Sequence, residues 1–577
     1  MSHNSSRRNF LTTTGFATLM TVAAVASGCA PLPSGTKETV ISSTSQPSNF
    51  LVIVVDDMGM ADIGSFGGEI DTPNLNALAT SGIRLTNFHT SPVCSATRAM
   101  LLTGVDNHKA GLGNMAEEMA PNQRGMPGHE GELNDSVATV PELLKSKGYR
   151  SYMTGKWHLG MSEQASPFAR GFDRSFTLLS GGASHYPDMK PAYSPDPDGK
   201  APYRRNADMV TSLPDSFRYS SQFYVDEMIG YLKQDMAQKK PFFAYLAFTA
   251  PHWPLQAPAA TIAKYKGRFD AGYDVIRDAR LKRQKQLGII PKNAEVAVAS
   301  PKERPWTLLS EKERQTELRA MEIYAAMIDE VDQNVGRLID YLRASGQLEN
   351  TVVIFISDNG TEGHDLDETW PADQFPEIRK NIDSRHDFSL ENMGAENSYV
   401  LYGPNWARAG SPALRLYKGF PTEGGTRVSA FVNYRGFKKG VISDRFFSVK
   451  DIAPTLLAMA GVQHPAPKYN GHNIEPMSGF DMRTALASGA GNSDDQPRVE
   501  GGEIMGKYMI RQGQWKMVHI APPHGNGSWQ LYDLENDLAE NKDLSVARPD
   551  IVKTLTAEWE RYSKENGVIL PNEVSGY

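Results

Sequence analysis

The chain has 577 residues, 40% hydrophobic and 22% charged, with a formal net charge of −7. That balance fits a globular protein with room for one large core and a smaller second domain. It shows no basic tract suited to nucleic acid. Fifty glycines and 36 prolines, without an internal repeat, exclude a fibre or solenoid and suit a loop-rich enzyme.

The N-terminus reads as a targeting segment to be set aside from the fold. Ser6-Arg7-Arg8-Asn9-Phe10-Leu11 carries the paired arginines of a twin-arginine export signal. Residues 10–26 are too short and too rich in Thr, Ala and Gly to span a membrane. Ala26-Ser27-Gly28-Cys29 resembles a lipoprotein cleavage site, which would leave Cys29 as a lipidated first residue. Ordinary cleavage or an uncleaved anchor is the alternative. Residues 30–48, rich in Ser, Thr and Pro, read as a tether. The expected location is periplasmic or membrane-anchored, at the outer membrane, with membrane contact only through Cys29.

From residue 49 to 489 the pattern is that of an α/β domain with a mostly parallel sheet. Apolar runs at 50–55, 241–248 and 351–356 read as buried strands, and residues 149–154 also read as strand. Thr72-Pro73 opens a helix, residues 96–102 are helix-forming, and 140–146, 221–233 and 317–344 follow helical patterns. The charged stretch 262–314 reads as a solvated helical excursion, with a lid as the alternative. After a Gly/Ser/Asp-rich stretch at 488–496, residues 490–577 read as a small α+β domain. It has strands at 508–511, 515–520 and 529–534 and a closing helix at 549–562.

Ligands in open α/β sheets bind beyond the carboxyl ends of the strands. Polar residues follow four of the expected strands: Asp56-Asp57, Lys156-Trp157-His158, His252 and Asp358-Asn359. One such group is readily a cap; four, two acidic and two cationic, are not. Asp56, Asp57, Asp358 and Asn359 offer only oxygen, which favours Ca²⁺ or Mg²⁺ over zinc. Lys156, His158, His252 and Arg98 are donors for an oxyanion, so the outline is phosphoryl or sulfuryl transfer. Cys94 and Cys29 are the only cysteines. Cys94 sits at a helix start that favours negative charge, as a nucleophile requires; a small buried filler is the competing reading.

Cys94-Ser95-Ala96-Thr97-Arg98 followed by Leu101-Leu102-Thr103-Gly104 resembles the signature of formylglycine-dependent sulfatases. Gly155-Lys156-Trp157-His158-Leu159-Gly160 is similar to that family's second signature. Val54 to Gly59, Ala250 to Leu255, Ser357 to Gly360, Leu416-Tyr417-Lys418 and Trp529 to Leu534 extend the match, closest to bacterial arylsulfatases. The family's usual pentapeptide has proline where Ala96 stands. The resemblance implies an alkaline-phosphatase-like domain and hydrolysis of aryl sulfates. It further implies that a maturation enzyme oxidises Cys94 to formylglycine, whose hydrate attacks sulfur. It assigns Asp56, Asp57, Asp358, Asn359 and residue 94 to one Ca²⁺ (Mg²⁺ less favoured). Lys156, His252 and Lys418 fall to the sulfate and leaving group, Arg98 and His158 to the diol. A phosphate or phosphonate ester hydrolase, or an unconverted binding lipoprotein, are the alternatives. His185, Tyr186 and Trp370 are candidates for the pocket rim.

Overall fold

In the computed structural model, residues 47–489 and 498–573 are described. The export, lipidation and tether readings of residues 1–46, and the linker at 490–496, lie outside the described residues. In chain order, the large sheet takes β1 (Asn49–Val55), β2 (Ile83–His89), β3 (Arg150–Lys156), β4 (Arg174–Leu178), β5 (Tyr203–Arg205), β6 (Asp208–Val210), β7 (Phe242–Ala247), β8 (Thr351–Ser357), β9 (Arg427–Asn433), β10 (Val441–Ser443) and β11 (Phe447–Ser448). Their spatial order is β10-β2-β9-β8-β1-β7-β3-β4-β5-β6, with β11 also on β2.

The centre, β8-β1-β7-β3-β4, is parallel. The pairs β8–β9, β9–β2, β4–β5 and β5–β6 are antiparallel. β1 explains its own continuous apolar run. Leu51, Ile53 and Val55 enter one core and Phe50, Val52 and Val54 the other, so both faces are covered.

Helices α1 (Pro73–Ser81), α2 (Cys94–Thr103), α3 (Val140–Leu144), α4 (Ser220–Asp235), α5 (Ala259–Ala263), α6 (Tyr273–Leu287) and α7 (Glu311–Ala344) flank the sheet. Buried residues of α1, α4 and α7 fill the first core, and those of α2 and α3 the second. α7 starts earlier than its apolar pattern because Ser310 and Glu313 form a capping box. The 262–314 stretch is only partly a solvated excursion. Arg280 of α6 is fully buried, 2.7 Å from both Asp62 and Glu69, and pins the helix to the body.

A ribbon of β12 (Lys468–Tyr469) and β13 (His472–Asn473) precedes the C-terminal sheet. That sheet is antiparallel in chain order: β14 (Val499–Ile504), β15 (Lys507–Gln512), β16 (Trp515–His519) and β17 (Trp529–Asp533). Helix Pro549–Asn566 packs on it. β14 was not among the expected strands, since VEGGEI has strand formers only at its two ends, around two acids and two glycines. Gly501 is needed there because a Cβ would fall 2.4 Å from the Tyr562 ring. By contact, Pro47–Tyr577 form one compact unit.

Candidate active site

Every expected site residue lies at one edge of the sheet, beyond the carboxyl ends of its parallel strands. Asp56 and Asp57 follow β1, Asp358 and Asn359 follow β8, and His252 follows β7. Lys156 closes β3 and His158 stands two residues on. The chain leaving β2 reaches Cys94, the first residue of α2, with Val93 as its N-cap. Ala96 packs with Val93, Met115, Ile504 and Met505, so alanine sits here in an apolar contact and continues the helix. Asp57, His158 and Leu416 have positive φ without being glycine, at 69°, 55° and 55°. Such backbone strain clusters where side chains must be aimed.

The charges interlock. Arg98 donates to Asp358 Oδ2 through Nη2 at 2.6 Å and Nε at 3.1 Å, and its Nη1 donates to the Lys156 carbonyl at 2.9 Å. Lys156 Nζ is 2.7 Å from Asp56 Oδ2, an ion pair whose angle does not make a hydrogen bond. Lys418 Nζ donates to Asp57 Oδ2 at 3.0 Å and lies 3.2 Å from Glu362 Oε2. Asn359 Nδ2 donates to Asp57 Oδ1 at 2.6 Å, and His252 Nε2 is 3.6 Å from Asp57 Oδ2.

Burial governs the protonation of this cluster. Desolvation, joined by the charge of Asp358, lifts Asp56 to about 8, with Lys156 and Arg98 pulling the other way. Burial lifts Asp57 to about 6 against the pull of Lys418. At Asp358 burial acts in the same sense, but Arg98 and Lys156 outweigh it and hold the carboxyl below its ordinary value. Burial also pushes the Cys94 thiol well up and His252 well down.

The donor set fits a hard cation. Carboxylate oxygens of Asp56, Asp57 and Asp358 lie within 4.8 Å of one another, all buried. Among the described residues, neither Asp56 oxygen nor Asn359 Oδ1 has a hydrogen-bond donor, a costly state for buried oxygens that a cation would relieve. Ligand atoms of Asp56, Cys94 and His252 also gather within 4.8 Å, which places residue 94 against this cluster.

Two partners had no signal in the sequence. Glu362 bridges Lys418 and His364 (Nδ1 to Oε1, 2.6 Å), and Glu117 holds His158 (3.0 Å). Burial lowers His158 against the charge of Glu117. Glu117 itself is held at about 2, burial being outweighed by His158. His185 is buried and bonds Ser220 Oγ at 2.8 Å and the His252 carbonyl at 3.1 Å, so it braces the His252 loop rather than lining a rim. Trp370 belongs to a buried aromatic cluster with Trp253 and Tyr399, and Tyr193 packs against it 4.9 Å away.

Residues 48–462 match the family model described as Sulfatase. An uncharacterized sulfatase of Schizosaccharomyces pombe is 43% identical over 537 residues, covering 91% of this chain and 95% of its own. An arylsulfatase of Klebsiella aerogenes is 37% identical over 441 residues, covering 75% and 91%. Among solved structures, Ps i-CgsB in complex with k-i-k-neocarrahexaose aligns with a TM-score of 0.64 at 24% identity, covering 92% of this chain and 95% of that one. At that identity the likeness concerns the fold, and it agrees with the alkaline-phosphatase-like architecture expected from the motifs.

Proposed function

The chain belongs to the sulfatase family and is a sulfuric ester hydrolase, and on that premise we propose an arylsulfatase that works through formylglycine at residue 94 and one bound Ca²⁺. The observation that carries the reading is the gathering of Asp56, Cys94 and His252 ligand atoms within 4.8 Å, beside carboxylates that Lys156 and Lys418 offset only in part. The name of the Klebsiella relative supports the aryl class.

Asp56, Asp57, Asp358, Asn359 and residue 94 would hold the cation. Bound there, Ca²⁺ supplies Lewis acidity toward a sulfate oxygen, and the hydrated aldehyde supplies a nucleophilic hydroxyl with a second hydroxyl beside it. The chain's own side chains do the rest. Lys156, Lys418 and His252 donate to sulfate oxygens and offset charge on the departing alcohol. Arg98 ties Asp358 to the Lys156 backbone, so the two halves of the site keep one geometry. His158 takes up a proton from the reacting hydroxyl.

Partners on this reading are a sulfate ester, a formylglycine-generating maturation enzyme acting on Cys94, and no nucleic acid. Twin-arginine export with a lipid at Cys29 would place the enzyme at the outer membrane, and release of a Cys29→Ser variant into the soluble fraction tests it. The main test pairs mass spectrometry of the tryptic peptide 85–98 with turnover of matched nitrophenyl sulfate and phosphate. An aldehyde at residue 94 with higher kcat/KM on the sulfate is expected. Preference for phosphate would shift the reading to the phosphate and phosphonate hydrolases. An unmodified thiol with no turnover would leave a binding protein.

A further inference from the structure

Resting on the sulfate-ester reading, we propose that Glu117 is a positioning residue that fixes the orientation and the proton-bearing nitrogen of His158. Glu117 lies in the short 3-10 turn Ala116–Glu118, away from every motif at the strand ends. Its Oε1 accepts two hydrogen bonds, from His158 Nε2 at 3.0 Å and from the Tyr193 hydroxyl at 2.7 Å.

An ionised carboxylate only accepts, so the imidazole nitrogen facing it carries the proton. In neutral His158 that leaves Nδ1 as the lone-pair nitrogen. Nδ1 is buried and has no hydrogen-bond partner among the described residues, which leaves its lone pair open to a reacting hydroxyl or water. The ring has little freedom to turn over. A Cβ at Gly181 would fall 2.6 Å from the Tyr193 hydroxyl and 2.9 Å from His158 Cε1, so backbone closes on both. His158 itself is held at φ 55°. Tyr193 in turn packs on Trp370 with ring centroids 4.9 Å apart, which anchors the carboxylate's second partner.

The proton balance is simple. When Nδ1 takes a proton from a reacting hydroxyl, the O–H bond breaks and an N–H bond forms. The Nε2 proton stays in place, and the imidazolium charge is offset by Glu117. Partners one step behind a reacting group typically change activity 10–100-fold when removed.

The test uses Glu117→Ala, Glu117→Gln and Glu117→Asp in the full chain, with aldehyde content at residue 94 measured for each. On nitrophenyl sulfate, Glu117→Ala should lower kcat by roughly 10–100-fold per converted enzyme while KM moves less than about threefold. Glu117→Gln keeps an acceptor for Nε2–H and should recover much of that loss. If the alanine variant does not fold, the aspartate variant, which withdraws the carboxylate by one methylene, is read in the same way. ¹⁵N NMR of histidine-labelled protein, with His158 assigned by a His158→Gln variant, should show the Nε2–H tautomer in wild type and its loss in Glu117→Ala. A wild-type Nδ1–H tautomer, or an unchanged kcat in Glu117→Ala, overturns the proposal. Absence of wild-type turnover at full conversion counts against the sulfatase reading instead, and the NMR result then decides Glu117 alone.

Discussion

Two buried charge clusters of similar composition behave in opposite ways. At the strand ends, Asp56 and Asp57 are pushed above the ordinary carboxylate range by burial and by neighbouring acids, and Asp56 finds no hydrogen-bond donor. Between the large sheet and the C-terminal sheet, Glu423 meets Lys516 at 2.8 Å, Arg427 at 3.4 Å and His89 at 3.7 Å. Lys516, with Arg511 and Arg427, outweighs burial and holds Glu423 below its usual range, while burial pushes His89 itself well down. Nearby, His108 sits 3.0 Å from both Asp106 and Glu503, and the Tyr562 hydroxyl donates to Asp106 at 2.8 Å. Equal burial thus leaves Asp56 and Asp57 raised in one place, beside the lowered Asp358, and Glu423 lowered in the other, where the raised acid is Glu540, which shares Lys516 with it. The first reads as chemistry, the second as attachment of the C-terminal sheet.

The largest effect should fall on the first cluster and on activity alone. Asp56→Asn or Asp358→Asn is expected to cut aryl sulfate turnover roughly 10³-fold or more. Asp56→Asn should leave the chelated protein about as stable as wild type, since the lost ion pair with Lys156 is offset by relief of burial and of the crowding by Asp358 and Asp57. Urea unfolding in the presence of chelator, run beside the turnover assay, checks both halves. A clear loss of stability in Asp56→Asn would erase the contrast. In the second cluster the order reverses. Glu423→Ala strands buried cations and should cost about 3–5 kcal/mol of stability, measured by the same unfolding curves.

What the sequence disclosed follows the same division. β1, β7 and β8 were legible because strands buried on both faces are written as unbroken apolar runs, whereas β3, RSYMTGK, was read as strand without one. The metal-site oxygens were legible because they stand directly after those runs. β2 and β9 escaped, since IRLTNFH and RVSAFVN mix polar residues into strands near the sheet's antiparallel side. Glu117, Glu362 and Glu423 escaped for another reason. Each is one acid in a loop or short turn, and its main partner, His158, Lys418 or Lys516, stands 41, 56 or 93 residues on. No local pattern encodes such pairs.

The pH dependence of the two clusters separates them again. Burial opposes the charged form of His108, but Asp106 and Glu503 outweigh it and raise the group from 6.5 to about 9. A raised folded pKa gives stability that is fully present below the unfolded value and lost as pH climbs through the folded one. His108 should therefore contribute about 3 kcal/mol at pH 6, fading between about pH 6.5 and 9. A His108→Gln variant should show its deficit at pH 6 and lose most of it by pH 10. A pH-independent deficit would mean that His108 acts through packing alone.

The smallest expected effect bears most directly on what the strained cluster is for. If Asp56, Asp57, Asp358 and Asn359 hold a cation in the folded state only, Ca²⁺ at a hundred times its Kd adds about 2.7 kcal/mol. The unfolding midpoint in urea should rise with Ca²⁺ and fall back with chelator. Asp56→Asn should blunt that response, because it removes a charged ligand whose oxygens have no other donor. Glu423→Ala should start from a lower midpoint and yet gain the full increment, since its cluster is already satisfied by protein cations. Equal Ca²⁺ responses in wild type and Asp56→Asn would mean that the strain at the strand ends is relieved by something other than a metal.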